Sequence, residues 1–338
     1  YESFVCGVKG YVCEPIEGKG CNYSPFSEKD PEHTGRKSIC AACYLFGTTG
    51  WARLFRLSTQ AQPGIDYSMH SVNMLIRKEK KVDVPVGFLA TDNRPIRFDA
   101  ICRPISDDMQ PGKNMPVQKQ LSMLFWFIST YAGLGPKQQK GRGAVKVTIP
   151  SDPQWDNWNE QQFKHALQGL DNHCKLFKPH PNPPDIRENF AERQDLRQFF
   201  SFIATSQILP EDVDASPKNQ RDYGLMKESP MKISAIRYWC ETNNKGPRDL
   251  DSLFGTIIKD RTRASRICLD FHRTNAESFL HVYGFGVADD PKRGRETLQS
   301  LLYEYIKVRW PDAYIADEQR WNPSLISEFG KEVRNDIR

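Results

Sequence analysis

Apolar residues recur along the chain with two different periods, and these periods predict its secondary structure. In Val117–Tyr131 apolar side chains follow i, i+3, i+4 and i+7 steps, which indicates an amphipathic helix. Further helices are predicted at Trp155–Leu170, Ile186–Ile208, Met231–Thr242 and Glu296–Trp310, and from Asn322 onward. Strand patterns occur at Ala52–Leu57, Lys81–Leu89, Ile96–Ile105, Ala144–Ile149, Ser265–Phe271 and Phe279–Val287. Strands and helices do not alternate regularly, so the order favours an α+β fold.

A short motif occurs twice in the chain. The tetrapeptide Leu-Phe-Gly-Thr stands at residues 45–48 and again at 253–256. Each copy follows a predicted helix and leads into an Arg-rich strand, and a glycine-rich segment lies downstream of each. This shared order predicts two related units. The proline-rich residues 177–185 are the best linker, because proline disfavours both helix and central strand. We therefore predict a first unit at 1–180 and a second at 186–338.

Length and hydropathy argue against a membrane span, but net charge alone does not decide whether the protein binds nucleic acid. A chain of 338 residues has room for two domains, and no apolar run approaches the roughly 18 residues of a membrane span. The net charge of +5 does not by itself indicate nucleic acid. The basic residues are clustered, however: residues 132–147 contain four Lys or Arg and no carboxylate. Such a cluster indicates either a phosphate-binding surface or an ordinary solvated face.

The cysteines are concentrated near the start of the chain, where five of the nine precede residue 44. Cys40 and Cys43 have the spacing that lets two thiolates bind one ion, and Cys13 and Cys21 lie in a loop-like segment that can supply two more. We predict a structural zinc site in a protein of the reducing cytoplasm. Cys6 and His33 are reserve ligands. The alternative is that these cysteines are ordinary reduced thiols.

A glycine-rich segment with three cations is the second candidate site. Its glycines allow backbone N–H groups to approach phosphate, and its cations supply charge. The residues are Gly133, Gly135, Lys137, Lys140, Gly141, Arg142 and Gly143. The spacing matches neither a Walker A motif nor a dinucleotide-binding fingerprint. A helix C-cap and turn would explain the first two glycines but not the remaining residues.

No catalytic constellation is visible in the sequence. The seven histidines show no HExxH motif and no paired metal spacing. His70 is a candidate for general acid–base cleavage of RNA, and Cys174 beside His173 is a second candidate, although lone histidines are more often core or surface residues. We therefore expect a protein that is not an enzyme, with a metal-independent endoribonuclease as the alternative.

Several segments together resemble the RAMP superfamily of CRISPR proteins, and within it the first-subunit family of the type III-B (Cmr) effector complex. The motifs that carry the similarity lie at residues 10–15, 40–57 and 133–143. The similarity is specific across about residues 10–60 and 130–147 and looser in the second half, where residues 233–239 and 253–256 match. It implies two ferredoxin-like βαββαβ domains in tandem, the first with a Cys-rich zinc insertion at about residues 6–43. In this family the first helix carries a Ser-x-x-Arg start, and Tyr1–Val8 resembles only the tail of that helix.

The resemblance also implies a function and a set of RNA contacts. Such a protein is a non-catalytic subunit near the 3′ end of the CRISPR RNA, which contacts target RNA and the other Cmr-type subunits in antiviral defence. A pure assembly protein is a third interpretation. The implied contacts are the glycine-rich loop, Arg53 and Arg56 of the first basic strand, and Ser234 and Arg237 of the second unit's helix. The second copy of the motif adds Arg261, Arg263 and Arg266.

Overall fold

The computed structural model describes most of the chain in separate stretches. These are residues 21–59, 67–76, 80–89, 98–110, 115–133, 146–149, 154–177, 196–207, 233–245, 250–254, 256–258, 261–263, 265–273, 277–286 and 291–316. Among these residues, none of the helices combines the length and the apolar character that crossing a bilayer requires.

The first half of the described chain combines helices with two antiparallel strand pairs. Its elements are α1 (Ala41–Phe46), β1 (Phe55–Thr59), β2 (Tyr67–Ile76), β3 (Lys80–Leu89), β4 (Phe98–Cys102), α2 (Val117–Tyr131) and α3 (Glu160–Cys174). Strand β1 pairs with β4, and β2 pairs with β3. The β2–β3 hairpin is therefore inserted, in chain order, between the two strands of the β1–β4 ladder.

Aromatic side chains of α2 and α3 form the centre of the first core. The rings of Phe127 and Phe163 are 5.9 Å apart and stacked, and Trp126 lies 5.2 Å from Phe163. Helix α3 begins where the Asn159 side chain accepts a hydrogen bond from the Gln162 N–H at 3.1 Å, as an N-cap does. Helix α1 is also buried in this core, which brings the cysteine segment against α2 and α3.

The second half forms a four-stranded antiparallel sheet with helices on one face. Its elements are β5 (Phe199–Ser206), α4 (Ile233–Thr242), α5 (Leu250–Phe254), β6 (Thr256–Ile258), β7 (Arg261–Arg263), β8 (Ile267–Arg273), β9 (Ser278–Phe285), α6 (Pro291–Arg309) and β10 (Tyr314–Ala316). The strand order is β10-β5-β9-β8. With α4 between the first two strands of this sheet and α6 between the last two, the order is βαββαβ, a ferredoxin-like arrangement.

The two faces of this sheet bury different partners. Because side chains alternate along a strand, Phe200 and Phe202 join α4 and α6 in the second core, whereas Phe199 points to the first. The Phe199 ring lies 5.0 Å from that of Phe127 on α2. One end of the sheet face opposite α4 and α6 is therefore packed against α2 of the first half.

Most predicted elements are present with shifted ends, and two predictions are wrong. The helix at Val117–Tyr131 is confirmed with both ends as predicted. The predicted helix Ile186–Ile208 is wrong where it is described, because Phe199–Ser206 is strand β5. The predicted helix Trp155–Leu170 begins only at Glu160, after a 3-10 turn at Trp155–Asn157. Residues 146–149 of the predicted strand Ala144–Ile149 are not in a strand.

Other predictions lie outside the described residues or agree within a few positions. Five of the predicted strands correspond to β1, β3, β4, β8 and β9. The helices predicted at Met231–Thr242 and Glu296–Trp310 correspond to α4 and α6. The predicted strand ranges do not include β2, β6, β7 or β10. The predicted helix from Asn322 onward lies outside the described residues, as does the linker beyond Phe177.

Candidate metal centre and nucleic-acid interface

Three cysteines of the predicted zinc site meet in a buried cluster. The Sγ atoms of Cys21, Cys40 and Cys43 lie within 4.8 Å of one another. Cys40 is the N-cap of α1, and its Sγ accepts a hydrogen bond from the Cys43 N–H at 3.5 Å. The Cys40 N–H in turn donates to Cys21 Sγ at 3.3 Å. Backbone N–H groups therefore point at two of the three sulfur atoms.

The cluster fits the demands of zinc. Tetrahedral coordination with Zn–S bonds of about 2.3 Å separates ligand sulfurs by roughly 3.8 Å, which is compatible with this spacing. Soft thiolate donors also favour zinc over magnesium or calcium. Cys13 lies outside the described residues, as does Cys6. The reserve ligand His33 lies elsewhere: its Nδ1 is 2.9 Å from the Asp30 carboxylate, and its side chain is exposed. Three of the four predicted ligands therefore come together.

The Leu-Phe-Gly-Thr motif makes a tight turn between α1 and β1. Gly47 has φ +90°, and a Cβ there would lie 2.7 Å from the Arg53 nitrogen, so only glycine fits. The Leu54 N–H donates to the Leu45 carbonyl at 3.0 Å, and the Leu54 carbonyl accepts from the Arg103 N–H at 2.8 Å. These bonds fix the start of the β1–β4 ladder relative to α1.

The second copy of the motif has the same bonding pattern. The Arg266 N–H donates to the Leu253 carbonyl at 3.0 Å, and the Arg266 carbonyl accepts from the Phe285 N–H at 3.0 Å. Leu253 occupies the place of Leu45 in the motif, and Arg266 precedes β8 as Leu54 precedes β1. The sequence repeat is therefore also a repeat of backbone hydrogen bonds.

Two predicted RNA-contact arginines lie on an open surface of the first half. Arg56 is on β1 opposite Ile101, and Arg53 lies in the segment before β1; both are exposed. Gly133 lies just after the end of α2, where a glycine commonly ends a helix. The rest of the predicted loop lies outside the described residues: Gly135, Lys137, Lys140, Gly141, Arg142 and Gly143.

The predicted RNA-contact residues of the second half lie on three different elements. Arg237 is half-buried on α4, where its Nε donates to Glu241 at 2.8 Å, so its charge is already partly compensated. Arg266 is half-buried at the start of β8. Ser234 lies in the first turn of α4. Arg261 and Arg263 are on β7, which pairs with β6.

The second glycine segment has a packing role. A Cβ at Gly284 would lie 2.2 Å from the Arg266 carbonyl oxygen, and a Cβ at Gly286 would lie 2.6 Å from the Arg295 nitrogen. Both glycines are buried. They allow β8 and α6 to approach β9 closely, so these two residues are not available to bind a phosphate.

A serine, a histidine and an aspartate that the sequence does not bring together lie on the sheet face opposite α4 and α6. Ser201 Oγ is 2.8 Å from His281 Nε2, and Asp270 is the cross-strand partner of His281. All three side chains are at least nine-tenths buried. A nucleophile must reach its substrate, so we interpret the hydrogen bond between Ser201 and His281 as a structural contact within the sheet. His70 lies on β2 opposite Val86, in the other half of the chain.

The other catalytic candidate, His173 beside Cys174, belongs to the first core. The His173 ring lies 4.7 Å from Phe177 and 5.4 Å from Tyr44. Burial lowers its pKa to about 4, with a further contribution from the nearby Arg36 charge. The imidazole is therefore neutral at neutral pH and packs as an aromatic side chain.

Comparison with known proteins gives one positive result. The family model of the RAMP superfamily matches residues 4–146. The match includes the thiol cluster, the first Leu-Phe-Gly-Thr motif, Arg53, Arg56 and the glycine-rich segment. No curated protein matches the sequence.

Proposed function

We propose that this protein is a non-catalytic, RNA-binding subunit of a CRISPR ribonucleoprotein effector. The RAMP match over residues 4–146 supports a CRISPR-associated RNA-binding role in general. The finer proposal is the first subunit of a type III-B (Cmr) complex in the cytoplasm, near the 3′ end of the CRISPR RNA and in contact with target RNA. It rests on the three motif segments that resemble that family.

The RNA-binding proposal rests mainly on Arg53 and Arg56, two exposed arginines within the matched region. Both are exposed, and neither forms an ion pair with another described residue. Arginine donates up to five hydrogen bonds in a fixed geometry that fits phosphate oxygens. Together with the cations of residues 133–143, these arginines would bind an RNA backbone without reading its sequence.

The proposed architecture is two tandem ferredoxin-like units. The second half has this strand order, and the shared bonding of the two motif copies supports a related first unit. The proposed zinc would stabilise the loop before α1, with Cys13 as the fourth ligand of Cys21, Cys40 and Cys43. Four protein thiolates leave no coordination position for water, so the zinc would be structural.

A salt titration of RNA binding tests the proposal. We expect the triple variant Lys137→Ala, Lys140→Ala, Arg142→Ala and the double variant Arg53→Ala, Arg56→Ala to weaken RNA binding. The dependence of log K on log salt should flatten by about 0.7 for each phosphate that the variant no longer neutralises, hence by roughly 1.4 in the double variant. Filter binding of single-stranded RNA at several salt concentrations measures both quantities.

A matched charge control is available away from these residues. Lys175 and Lys245 are exposed cations in surface ion pairs with Asp171 and Glu304. The variant Lys175→Ala, Lys245→Ala should leave the slope unchanged. Equal slopes in all variants would reject this RNA surface. Cleavage of repeat RNA in the presence of chelator, abolished by His70→Ala, would reject the non-catalytic role and favour an endoribonuclease.

A further inference from the structure

The repeated backbone bonds place the β1–β4 and β8–β9 ladders in the same register. Leu54 corresponds to Arg266, because the N–H of each donates to the leucine carbonyl of its own motif. The carbonyls of these two residues accept from Arg103 and Phe285, which therefore correspond as well. Side chains alternate along a strand, and residues paired across a ladder share a face. One equivalent face therefore carries Arg56, Ile101 and Arg103 in the first ladder, and Cys268, Tyr283 and Phe285 in the second.

This face is covered in the second half and open in the first. Tyr283 is 4% exposed and belongs to the first core, against which Cys268 and Phe285 pack. At the position equivalent to Tyr283, Ile101 is 61% exposed, and its partner Arg56 is exposed as well. A largely apolar set that packs against protein in the second half is thus replaced in the first by two cations and one exposed aliphatic side chain.

Arg103 has a defined position on this face. Its guanidinium carbon lies 4.4 Å from the centroid of the Trp51 ring, which is a cation–π contact. The Trp51 ring is itself fixed, because its Nε1–H donates to the Tyr44 carbonyl at 2.9 Å. Arg103 is half-buried, and no carboxylate of the described residues forms an ion pair with it. The stacked guanidinium therefore keeps an uncompensated charge, and its position is set before any ligand binds.

We propose that Arg56, Ile101 and Arg103 form a binding site for single-stranded RNA, in which Arg103 is a phosphate contact additional to Arg53 and Arg56. The site presupposes the RNA binding proposed above. Arg56 lies across the ladder from Ile101, and Arg103 follows Ile101 at roughly 7 Å along the strand direction. The two guanidinium groups would bind phosphate oxygens, and the aliphatic side chain between them would contact a ribose or a base.

The charges of the ladder favour one face and one direction for the RNA. On the face with Ile101, the next pair beyond Arg56 contains a carboxylate, Asp99, and no cation. Arg103 lies in the other direction, so the RNA should extend from Arg56 toward Arg103 and away from Asp99. The six paired positions on the other face of the ladder carry no charge, although Phe98 there is 52% exposed. A sugar-phosphate strand would find no cation on that face.

Two substitutions of Arg103 separate a phosphate contact from a packing role. Arg103→Gln removes the charge, so it should weaken binding of single-stranded RNA about tenfold and flatten the dependence of log K on log salt by about 0.7. Arg103→Lys keeps the charge but not the planar guanidinium, so it should weaken binding less and keep the wild-type slope. Equal losses in both variants with an unchanged slope would mean that Arg103 only packs on Trp51, and would overturn the proposal.

Photocrosslinking tests the face without altering its arginines. The photoreactive residue p-benzoyl-phenylalanine is introduced at position 101, and the control carries it at position 98, which is also exposed but lies on the opposite face of β4. After irradiation with single-stranded RNA, position 101 should give RNA adducts and position 98 should not. Adducts in equal or greater yield from position 98, or none from either position although RNA is bound, would also overturn the proposal.

Two outcomes separate this site from the RNA-binding role itself. If Arg53→Ala, Arg56→Ala weakens RNA binding and Arg103→Gln does not, the RNA-binding role is supported and the site with Arg103 is rejected. If the wild-type chain does not bind single-stranded RNA at low salt, both are rejected.

Discussion

The β1–β4 and β8–β9 ladders start from the same motif and the same hydrogen bonds, yet their surroundings differ. Around β8–β9, two further strands and the helices α4 and α6 complete a sheet with a conventional apolar core. Around β1–β4, the ladder has only its own two strands among the described residues, and a cluster of three buried cysteines adjoins the helix before it. If the cysteine cluster binds zinc as proposed, the same backbone motif is held by apolar burial alone in the second half and with help from a metal in the first.

Removal of a cysteine ligand should give the largest difference between the halves. We expect about one zinc per chain in freshly prepared, unchelated protein, and none in Cys40→Ser. Structural zinc contributes about 10–16 kcal/mol in isolated zinc-finger peptides, so its loss should unfold the segment before α1 even if α2 and α3 persist. Elemental analysis measures the metal, and hydrogen exchange measures the order of residues 21–46.

A buried cysteine of the second half is the matched control for this experiment. Cys240 lies in the core formed by α4 and α6, away from the thiol cluster. Cys240→Ser should retain the zinc, although it buries a hydroxyl. Negligible zinc in the unchelated wild-type protein would contradict the proposed metal centre and would leave the three cysteines as ordinary thiols.

The two ladders should also respond differently to the same truncation. Leu269→Ala leaves a cavity in the second core and should cost about 2–5 kcal/mol. Leu57 is the third residue of β1, as Leu269 is of β8, but it is 41% exposed. Leu57→Ala should therefore cost less than Leu269→Ala, closer to the roughly 0.5 kcal/mol of a surface change. Urea denaturation of both variants measures the difference. Equal costs would show that the ladders have similar environments in solution.

The sequence predicts an element well where one face of it is much more apolar than the other. Val117–Tyr131 has a clear stripe against a polar face, and both of its ends are correct. The helix predicted at Ile186–Ile208 is wrong over Phe199–Ser206, where apolar residues stand at neighbouring positions. Phe199 belongs to the first core and Phe200 and Phe202 to the second, so successive side chains are buried on opposite faces of β5 and the alternation of a strand is hidden.

Similar reasoning separates the parts of the site that could be predicted from those that could not. The thiol cluster was visible because Cys40 and Cys43 are neighbours in sequence, and this local spacing carries the chemistry. The contact of Ser201 with His281 joins residues 80 positions apart and depends on strand register, which composition does not reveal. Gly284 and Gly286 have the composition of a phosphate loop, but they serve close packing, because glycine is required for either role.

The buried histidines of the two halves give the smallest of the expected differences, a difference in how stability depends on pH. In the second half, Ser201 Oγ lies 2.8 Å from His281 Nε2. In the first half, His173 Nδ1 has no hydrogen-bond partner among the described residues, and burial lowers the pKa of His173 to about 4. As the pH falls below about 6.5, the ordinary pKa of histidine, His173 is protonated in the unfolded chain but stays neutral in the folded chain. The stabilisation is therefore complete above pH 6.5 and is lost progressively toward pH 4.

At pH 5 the expected loss from His173 is about 2 kcal/mol relative to pH 7, since each pH unit below 6.5 corresponds to about 1.4 kcal/mol. The free energy of unfolding should be measured by urea denaturation at both pH values in the wild type and in His173→Gln. The comparison of the two proteins cancels the acid response of carboxylates and of the thiol cluster. The variant should lose that 2 kcal/mol of pH dependence, whereas an identical change in both proteins would mean that His173 titrates normally. Hydrogen exchange at pH 5 should locate the wild-type loss in α2 and α3, with β5 and β9 affected less.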